Sequence, residues 1–466
     1  MDVILRFTGK QHDVLRRHLL PGDGLEAAAI VLCGRHHGAE RHVLTAHRIF
    51  PVPHNQCVRD AGRLEWKTDI IVPLIEQIMK HNWALVKVHS HPGGFRQFSD
   101  IDNEADAKLF SSVTEWCLNG HPHASAVMLP DGELFGRVFA ADGTCAPIKR
   151  IAVAGEDVHY WPSQVDNPTH AFTGSHLQAF GERTISVLRG LTIGIVGCSG
   201  TGSPLVEMLV RLGAGRIVLI DPDVVEERNL NRIYNATMAD AIARRPKVEV
   251  VARAINAMSL GTIVTTIQKS AFSKEALRAI AACDVIFGCV DSHDGRYLLN
   301  KAAVYYSIPY FDVGVTLHAD GNGGIQKIAG SVHYLQPDGS SLVSRGVITL
   351  ESVRAAAMKR AAPEMYAELR KSKYIQGADE NRPAVISINT EFAARAVNEF
   401  LARIHPFRSA PNAGFAWRTC LLTDDVSLNE PDGPPCSILA HQAGRGDHSV
   451  TDENNLASAS LSISEN

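Results

Sequence analysis

The stretch LTIGIVGCSGTGSPLVEMLVRLGAGRIVLID, residues 191–221, predicts a β-strand, a glycine-rich turn, an α-helix and a second β-strand. Two short apolar runs flank a segment whose apolar residues recur at helical spacing. A strand–helix–strand unit of this kind places its two strands parallel in one sheet. The runs DVIFGCVDS (284–292) and IPYFDVGV (308–315) predict later strands, and SINTEFAARAVNEFLARI (387–404) predicts a long amphipathic helix. The sequence therefore predicts an α/β fold with a mainly parallel sheet covered by helices.

The first part of the chain has a different pattern. From about residue 25 to 150, short apolar segments such as WALVKVHSH, SAVMLP and LFGRVFA are bounded by Gly, Pro, Asp and His. We interpret these segments as strands, with one helix around 69–81 and another after Ser99. This mixture predicts an α+β domain.

The predicted domain order follows from these patterns and from the segments between them. An N-terminal domain spans 1–150, a linker containing Trp-Pro, Asn-Pro and Thr-Gly pairs spans 151–179, and the α/β domain spans 180–410. A C-terminal extension covers 411–443. Residues 444–466 are poor in large apolar side chains and predict a disordered tail.

Composition excludes several classes of protein. Apolar residues make up 45% and charged residues 21% of 466 residues, which is typical of soluble globular chains. A net charge of −4 gives no overall basic field for nucleic acid. The N-terminus does not resemble a secretory signal, and no window approaches the roughly 20 apolar residues of a membrane span. Nine cysteines without any Cys-x-x-Cys pair favour a reduced, cytoplasmic compartment.

The run HSHPGGFRQFSDID, residues 89–102, predicts a metal site. His89 and His91 lie two residues apart on a strand, so both imidazoles point to the same face, which Lys87 shares. Ser99 is placed to cap the following helix, and Asp102 in its first turn can reach back to the histidines. Two histidines and one carboxylate leave the fourth position of zinc open for water, as in catalytic sites. Glu26, just before the strand AAAIVLCG, is the candidate base.

This run resembles the JAMM/MPN (JAB) metalloprotease family, whose signature it reproduces: His-x-His, a seven-residue gap that begins with proline, and Ser-x-x-Asp. The resemblance covers about the first 150 residues. It implies that His89, His91 and Asp102 bind zinc, that Glu26 is the general acid/base, and that Ser99 stabilises the oxyanion. It also implies deubiquitinase-like cleavage after the C-terminal glycine of a ubiquitin-like protein. His36, His37, His42 and His47 have no metal spacing and are interpreted as structural.

The glycine turn of the α/β domain predicts a nucleotide site. Gly197, Gly200 and Gly202 let phosphate approach backbone N–H groups at a helix N-terminus, and Asp221 at the end of the next strand can bind ribose hydroxyls. NAD binding would need nothing more. Asn229, Arg232 and Lys247, together with Asp291 at a later strand end, instead favour a magnesium-bound triphosphate.

From about residue 180 to 407 the chain resembles the ubiquitin-activating enzyme superfamily, including the ThiF/MoeB adenylyltransferases. The positions that carry the resemblance are Gly197, Gly200, Gly202, Asp221, Asp223, Asn229, Arg232, Lys247 and Asp291. The resemblance implies a Rossmann-like, ThiF-type fold in which the acidic pair and the basic side chains bind ATP and Asp291 binds magnesium. It further implies adenylation of a C-terminal glycine, a homodimer, and a ubiquitin-conjugating-enzyme-like partner.

Three departures from this pattern bear on the reaction. Ser199 replaces the second glycine of the usual turn, and the expected upstream arginines are absent, with His170 and Thr173 near those positions and Arg183 as a substitute. No cysteine lies between Cys289 and Cys420, where the thioester-forming cysteine usually occurs. Either the reaction stops at the adenylate or another group accepts the acyl chain. The candidate acceptors are Cys436, Ser340, Ser341 and Ser344.

These inferences predict a bifunctional zinc isopeptidase and ATP-dependent adenylyltransferase acting on one ubiquitin-like partner in a bacterial pathway, with phage defence as one setting. The alternatives are processing and adenylation of a sulfur carrier for thiamine, molybdopterin or cysteine synthesis, a non-catalytic ubiquitin-like-binding scaffold, and an NAD-dependent oxidoreductase. A basic stretch at 354–374 keeps nucleic-acid binding as a minor alternative.

Overall fold

A computed structural model of the chain describes residues 2–117, 120–164, 171–320, 322–371 and 384–447. The chain divides into two compact units. The N-terminal unit contains residues 1–165 together with 304–307 and 442–451. The C-terminal unit contains residues 166–303, 308–441 and 452–466.

The N-terminal unit is a mixed α+β structure, as the sequence predicts. Its elements are β1 (Asp2–Thr8), α1 (Gly9–Leu19), β2 (Ala28–His37), β3 (Arg41–Pro51), β4 (Cys57–Arg59), β5 (Leu64–Trp66), α2 (Val72–His81), β6 (Ala84–Ser90), α3 (Asp100–Cys117), β7 (His123–Met128), β8 (Leu134–Phe139), β9 (Cys145–Pro147), β10 (Arg150–Ala154) and β11 (Val158–Pro162). Nine strands form one sheet in the order β11-β10-β1-β3-β2-β6-β7-β8-β9, and β4 pairs with β5 as a separate hairpin.

Strand β6 carries the alternation expected for a buried strand. Ala84, Val86 and Val88 join the core on one face of the sheet. Trp83 and Leu85 join the core on the other face, with residues of α2 and α3. Because side chains alternate along a strand, Lys87 and His89 lie on the face that α3 covers.

The boundary of the N-terminal unit differs from the predicted one. The segment predicted as a linker at 151–179 contains β11 and most of β10, and Gly174 begins the next helix. The reason is that β10 pairs in parallel with β1 and β11 pairs with β10, so the apolar run after residue 150 completes the sheet. Residues 444–447, predicted as part of a disordered tail, bond to β2: Gly34 N donates to Gly444 O, and Asp447 N donates to Arg35 O. The rest of that predicted tail, 448–466, lies outside the described residues.

The C-terminal unit is built on a second sheet. Its elements are α4 (Gly174–Gly190), β12 (Thr192–Val196), α5 (Gly202–Arg211), β13 (Arg216–Ile220), α6 (Met238–Ile242), α7 (Lys247–Met258), β14 (Ile263–Ile267), α8 (Lys274–Ala282), β15 (Val285–Gly288), α9 (His293–Tyr305), β16 (Tyr310–Ala319), β17 (Ile325–Leu335), α10 (Leu350–Ala361), α11 (Pro363–Lys371), α12 (Ile386–Ile404), β18 (Trp417–Leu421) and β19 (Val426–Glu430). The strand order is β14-β13-β12-β15-β16-β17-β18-β19.

The first five strands of that order are parallel, and β17, β18 and β19 extend the sheet in antiparallel fashion. The predicted strand–turn–helix–strand unit is confirmed as β12, α5 and β13. The predicted amphipathic helix is confirmed as α12, which buries Phe392, Ala396 and Phe400. Within the described residues, no helix is both long enough and apolar enough to cross a bilayer.

The turn between β12 and α5 needs glycine at two positions. Gly197 has φ +95°, a backbone conformation that is strained for residues with a Cβ. A Cβ at Gly202 would lie 1.9 Å from the carbonyl oxygen of Gly197. The turn therefore closes tightly enough to bring backbone N–H groups to the start of α5.

Candidate functional sites

Three predicted metal ligands converge in the N-terminal unit. The Nε2 atoms of His89 and His91 lie 3.1 Å apart. Asp102 approaches His89 Nε2 at 2.9 Å through Oδ1 and His91 Nε2 at 3.4 Å through Oδ2. Among the described residues, these form the one group of three potential ligands whose donor atoms lie within 4.8 Å of one another.

The electrostatics of these ligands suit a divalent cation. Burial lowers the pKa of His89 to about 4, so its imidazole is neutral at pH 7. Burial alone would raise the pKa of Asp102, but the close contacts with the His89 and His91 imidazoles outweigh burial and lower that pKa below its usual range. The Nδ1 atom of His91 lies 2.8 Å from the carbonyl oxygen of Phe95. That bond requires a proton on Nδ1, which leaves the Nε2 lone pair for a metal.

Glu26, the candidate base, lies two residues before the start of β2. The pairing of Ala28 with His89 places it near the metal ligands. Arg59 on β4 holds the Glu26 backbone by donating from Nε to its carbonyl oxygen at 2.6 Å. Burial raises the pKa of the Glu26 carboxyl to about 7, although His91 opposes the shift. A carboxylate with a pKa near 7 can both accept and return a proton at neutral pH.

Ser99 holds the carboxylate of Asp102. Its hydroxyl donates to Asp102 Oδ2 at 2.7 Å and accepts from Asp102 N at 3.1 Å, the bond of an N-cap residue at the start of α3. Its backbone N also donates to the same carboxylate oxygen at 2.9 Å. Ser99 therefore fixes one metal ligand directly.

The sequence reasoning missed an ionic cluster beneath the metal ligands. Asp106 is fully buried on α3, and its carboxylate meets Lys87 Nζ at 2.5 Å and Arg137 Nη2 at 2.7 Å. One signal was available, because Lys87 precedes His89 by two residues and so shares its face of the sheet. No local sequence pattern predicts that Arg137, on β8, contacts Asp106.

In the C-terminal unit, the two predicted acidic residues lie beside the glycine turn. Asp221 follows β13 directly, and its Oδ2 accepts from Cys198 N at 2.7 Å, which ties the carboxylate to the turn. Burial raises the pKa of Asp221, while Lys247 opposes the shift. Lys247 is buried and its Nζ lies 2.7 Å from Asp223 Oδ2. The structure thus brings Asp221, Asp223 and Lys247 to one edge of the sheet.

Arg232 lies at the same edge. Its Cδ would lie 3.0 Å from a Cβ at Gly200, so the side chain covers the turn. Burial and Arg228 lower the pKa of Arg232, and the carboxylate of Asp291 opposes the shift. Asn229 is buried, and its Oδ1 accepts from Glu226 N at 3.1 Å, a local capping bond.

The sequence reasoning also missed Asn389 on α12. Its Nδ2 donates to Thr201 Oγ1 at 2.9 Å, and its Cγ would lie 3.3 Å from a Cβ at Gly200. The hydrophobic periodicity of α12 predicts the helix but gives no indication that its first turns touch the glycine turn.

The candidate acyl acceptors differ in exposure. Cys436 is buried, and Ser341 Oγ donates to its Sγ at 3.0 Å. Ser340 and Ser341 are buried, while Ser344 is exposed. Of the residues considered in place of the upstream arginines, Arg183 is exposed on α4, Thr173 is buried, and His170 lies outside the described residues.

Comparisons with known proteins agree with this division of the chain. A sequence profile described as prokaryotic homologs of the JAB domain matches residues 9–137, and the profile of the ThiF family matches residues 174–345. The chain carries a JAB domain followed by a ThiF domain. Its fold is accordingly mixed α/β, with a Rossmann-type sheet in the ThiF domain.

Curated relatives are similar to part of the chain. A ubiquitin-like modifier-activating enzyme 5 of Culex quinquefasciatus is 27% identical over 162 residues, which is 32% of this chain and 38% of that protein. A SAMP-activating enzyme E1 of Haloferax volcanii is 29% identical over 145 residues, which is 31% of this chain and 49% of that protein. The chain thus spans less than half the length of these relatives. Among solved structures, E. coli MccB with MccA-N7isoASN aligns with a TM-score of 0.45 and 17% identity over 60% of this chain and 77% of that one.

Proposed function

We propose that the chain is bifunctional: the JAB domain cleaves after the C-terminal glycine of a ubiquitin-like protein, and the ThiF domain adenylates that glycine with ATP. The observation that carries this proposal is the presence in one chain of two sets of reactive groups. One is His89, His91 and Asp102 with Glu26. The other is the turn at Gly200 with its acidic and basic neighbours. The activating enzymes among the relatives support ubiquitin-like substrates.

The proposed cleavage needs a base, a fixed ligand set and an oxyanion donor. His89, His91 and Asp102 would hold zinc, which supplies Lewis-acid polarisation and a water of lowered pKa. Glu26 takes a proton from the attacking water and returns it to the leaving amine. Ser99 donates to the oxyanion when its hydroxyl turns from Asp102.

The proposed adenylation joins the glycine carboxylate to the α-phosphate of ATP and releases pyrophosphate. Asp221 binds the ribose hydroxyls, and the turn N–H groups with Arg232 and Lys247 bind the phosphates. Asp291 would hold magnesium. Lys247 exchanges its ion pair with Asp223 for a phosphate oxygen when the nucleotide binds. These groups suffice for the adenylate, and both cysteines that follow Asp291, Cys420 and Cys436, are buried.

Mass spectrometry tests both halves together. A panel of ubiquitin-like proteins ending in Gly-Gly, each as the mature form and as a precursor with a short C-terminal extension, is incubated with the full chain, zinc and magnesium-ATP. We expect trimming of a precursor and an adenylate of the mature form. Glu26→Gln should abolish trimming and leave zinc bound, while adenylation continues. Tight binding of NAD with no binding of magnesium-ATP would contradict the second half.

The fate of the adenylate separates conjugation from sulfur transfer, which the same groups would also support. Conjugation predicts protein adducts that disappear when the terminal glycine of the ubiquitin-like protein is changed. Sulfur-carrier activation predicts a thiocarboxylate on the partner. Absence of both trimming and adenylation with the whole panel would favour a binding scaffold.

A further inference from the structure

A row of polar side chains crosses three neighbouring strands directly beneath the metal ligands of the JAB domain. Lys87 on β6 pairs with Ser125 on β7, and Ser125 pairs with Arg137 on β8. Paired residues of adjacent strands present their side chains on the same face. The buried carboxylate of Asp106 on α3 meets this row through Lys87 and Arg137.

The next row along the same strands contains His89. Two residues of a strand advance about 6.7 Å, and four residues of a helix advance about 6 Å. Asp102 and Asp106 lie four residues apart, so they project from one side of α3 at nearly the spacing of the two rows. Contact of Asp106 with Lys87 and Arg137 in the first row therefore places Asp102 one helical turn away, in contact with His89 in the next row.

Arg137 also holds the segment that leads into α3. Its Nη2 donates to the carbonyl oxygen of Asp102 at 3.0 Å, and its Nη1 donates to Asn103 Oδ1. Its guanidinium carbon lies 3.8 Å from the ring centroid of Phe98, one residue before Ser99. A single side chain thus contacts α3 and the segment between His91 and the helix.

We propose that Lys87 and Arg137 are positioning residues for the metal ligand Asp102, and that they act through Asp106 by setting the register of α3 on the sheet. This inference rests on the proposed metal site of the JAB domain. Hydrophobic packing alone fixes which face of α3 is buried, but it allows the helix to slide along the sheet. Two cations on one fully buried carboxylate fix a single position, because any slide leaves charges without partners.

Arg137→Lys is the main test. Lysine keeps one positive charge but lacks the planar guanidinium group that donates both to the Asp106 carboxylate and to the Asp102 carbonyl oxygen. The full-length variant is stripped with EDTA, and its zinc affinity is measured by competition with a chromophoric chelator. Cobalt absorption reports the ligand geometry, and the melting temperature in EDTA reports folding. We expect zinc affinity to fall about 10- to 100-fold with an altered cobalt band and a nearly unchanged melting temperature.

Two further variants keep the test decisive. Arg96→Lys is the matched control, because Arg96 lies between His91 and Ser99 but pairs with Glu133 in an exposed bridge. We expect it to bind zinc like the parent. The triple change K87M, D106L and R137M replaces the ionic cluster by apolar groups. If Arg137→Lys does not fold, the zinc affinity of this triple variant tests the positioning role instead. We expect the triple variant to fold and to bind zinc more weakly.

The outcomes are distinguishable. If the parent binds zinc and the folded Arg137 variant matches it in affinity and cobalt spectrum, the positioning role is wrong while the metal site stands. An equal loss of zinc affinity in the Arg96→Lys control would also overturn the positioning role. If the parent itself binds no zinc, the proposed metal site and this inference both fail.

Discussion

The two candidate sites of this chain are assembled in different ways. In the JAB domain, all three proposed metal ligands come from one run of 14 residues, 89–102, and the closest ligand atoms of each pair lie within 3.4 Å. In the ThiF domain, the candidate residues are spread from Gly197 to Asp291, and they come from strand ends, turns and the starts of helices. A short motif fixes its own geometry through one strand and one helix, whereas a dispersed set depends on the order of strands in the sheet.

The two sites also differ in how their residues are paired. The three proposed metal ligands contact one another, so removal of one changes the others directly. In the ThiF domain the contacts are separate: Lys247 pairs with Asp223, and Asp221 accepts from the backbone N–H of Cys198. We therefore expect single substitutions there to change ligand binding with little effect on the fold.

The largest effect is expected from Asp291→Ala. Loss of the proposed magnesium ligand should reduce partner-dependent ATP–pyrophosphate exchange about 10²- to 10³-fold, because charge on the transferring phosphates is no longer neutralised. Circular dichroism and melting temperature should match those of the parent. Asp424→Ala, an exposed acid in the same unit, is the control. Full exchange activity in the Asp291 variant would show that Asp291 is not a magnesium ligand.

A change at the glycine turn should break the rule that ThiF-domain substitutions spare the fold. Gly202→Ala adds a Cβ 1.9 Å from a backbone oxygen, so the turn must shift. We expect loss of ATP binding and destabilisation of the C-terminal unit by about 1–3 kcal/mol, as for an overpacked core. Gly414→Ala is the control, since a Cβ there meets nothing within 4 Å. Calorimetry and nucleotide titration measure both effects, and ATP binding equal to the parent's would contradict the tight turn.

Acid should destabilise the N-terminal unit more than the other unit. Burial lowers the pKa values of His42, His47 and His123 to about 2, 4 and 3. An unfolded histidine titrates near 6.5, so below that pH the unfolded state binds more protons and stability falls. At pH 5 each residue contributes up to about 2 kcal/mol of this loss.

Tryptophan fluorescence can follow this transition, because Trp66, Trp83, Trp116 and Trp161 lie in the N-terminal unit and Trp417 lies in the other. Melts at pH 7.5 and pH 5 should be made in EDTA, so that metal release does not contribute. A greater downward shift of the fluorescence transition than of the calorimetric transition of the C-terminal unit is expected. Equal shifts of both would show that these histidines do not remain neutral in the folded state.

The smallest effect is expected at the surface of α3. Lys108 pairs with Glu104 one turn away, and both side chains are mostly exposed. Exposed pairs of this kind contribute little to stability. Lys108→Met should leave zinc affinity and melting temperature unchanged. Arg137→Lys should differ, because Arg137 on β8 contacts the buried Asp106 of the same helix. A measurable loss of zinc affinity in the Lys108 variant would show that any change on α3 disturbs the metal ligands.

Local patterns predicted much of the fold correctly. The alternation in WALVKVHSH predicts β6 and the shared direction of its two histidines, and the structure confirms both. The unit around residues 191–221 is confirmed as β12, α5 and β13. The predicted linker directly after residue 150 is wrong: its Gly and Pro residues are typical of loops, but the segment pairs with β1, a strand about 150 residues earlier.

What the sequence determined by itself is every feature that depends on neighbours along the chain: the alternation of β6, the tight turn at Gly197 and the spacing of His89, His91 and Asp102. What only the tertiary structure decided is which distant residues meet. Arg137 reaches Asp106 because β8 lies two strands from β6, and Asn389 reaches Thr201 because α12 packs beside α5. The physical reason is that side-chain periodicity is a local property of the backbone, whereas strand order and helix docking are set by burial of the whole core.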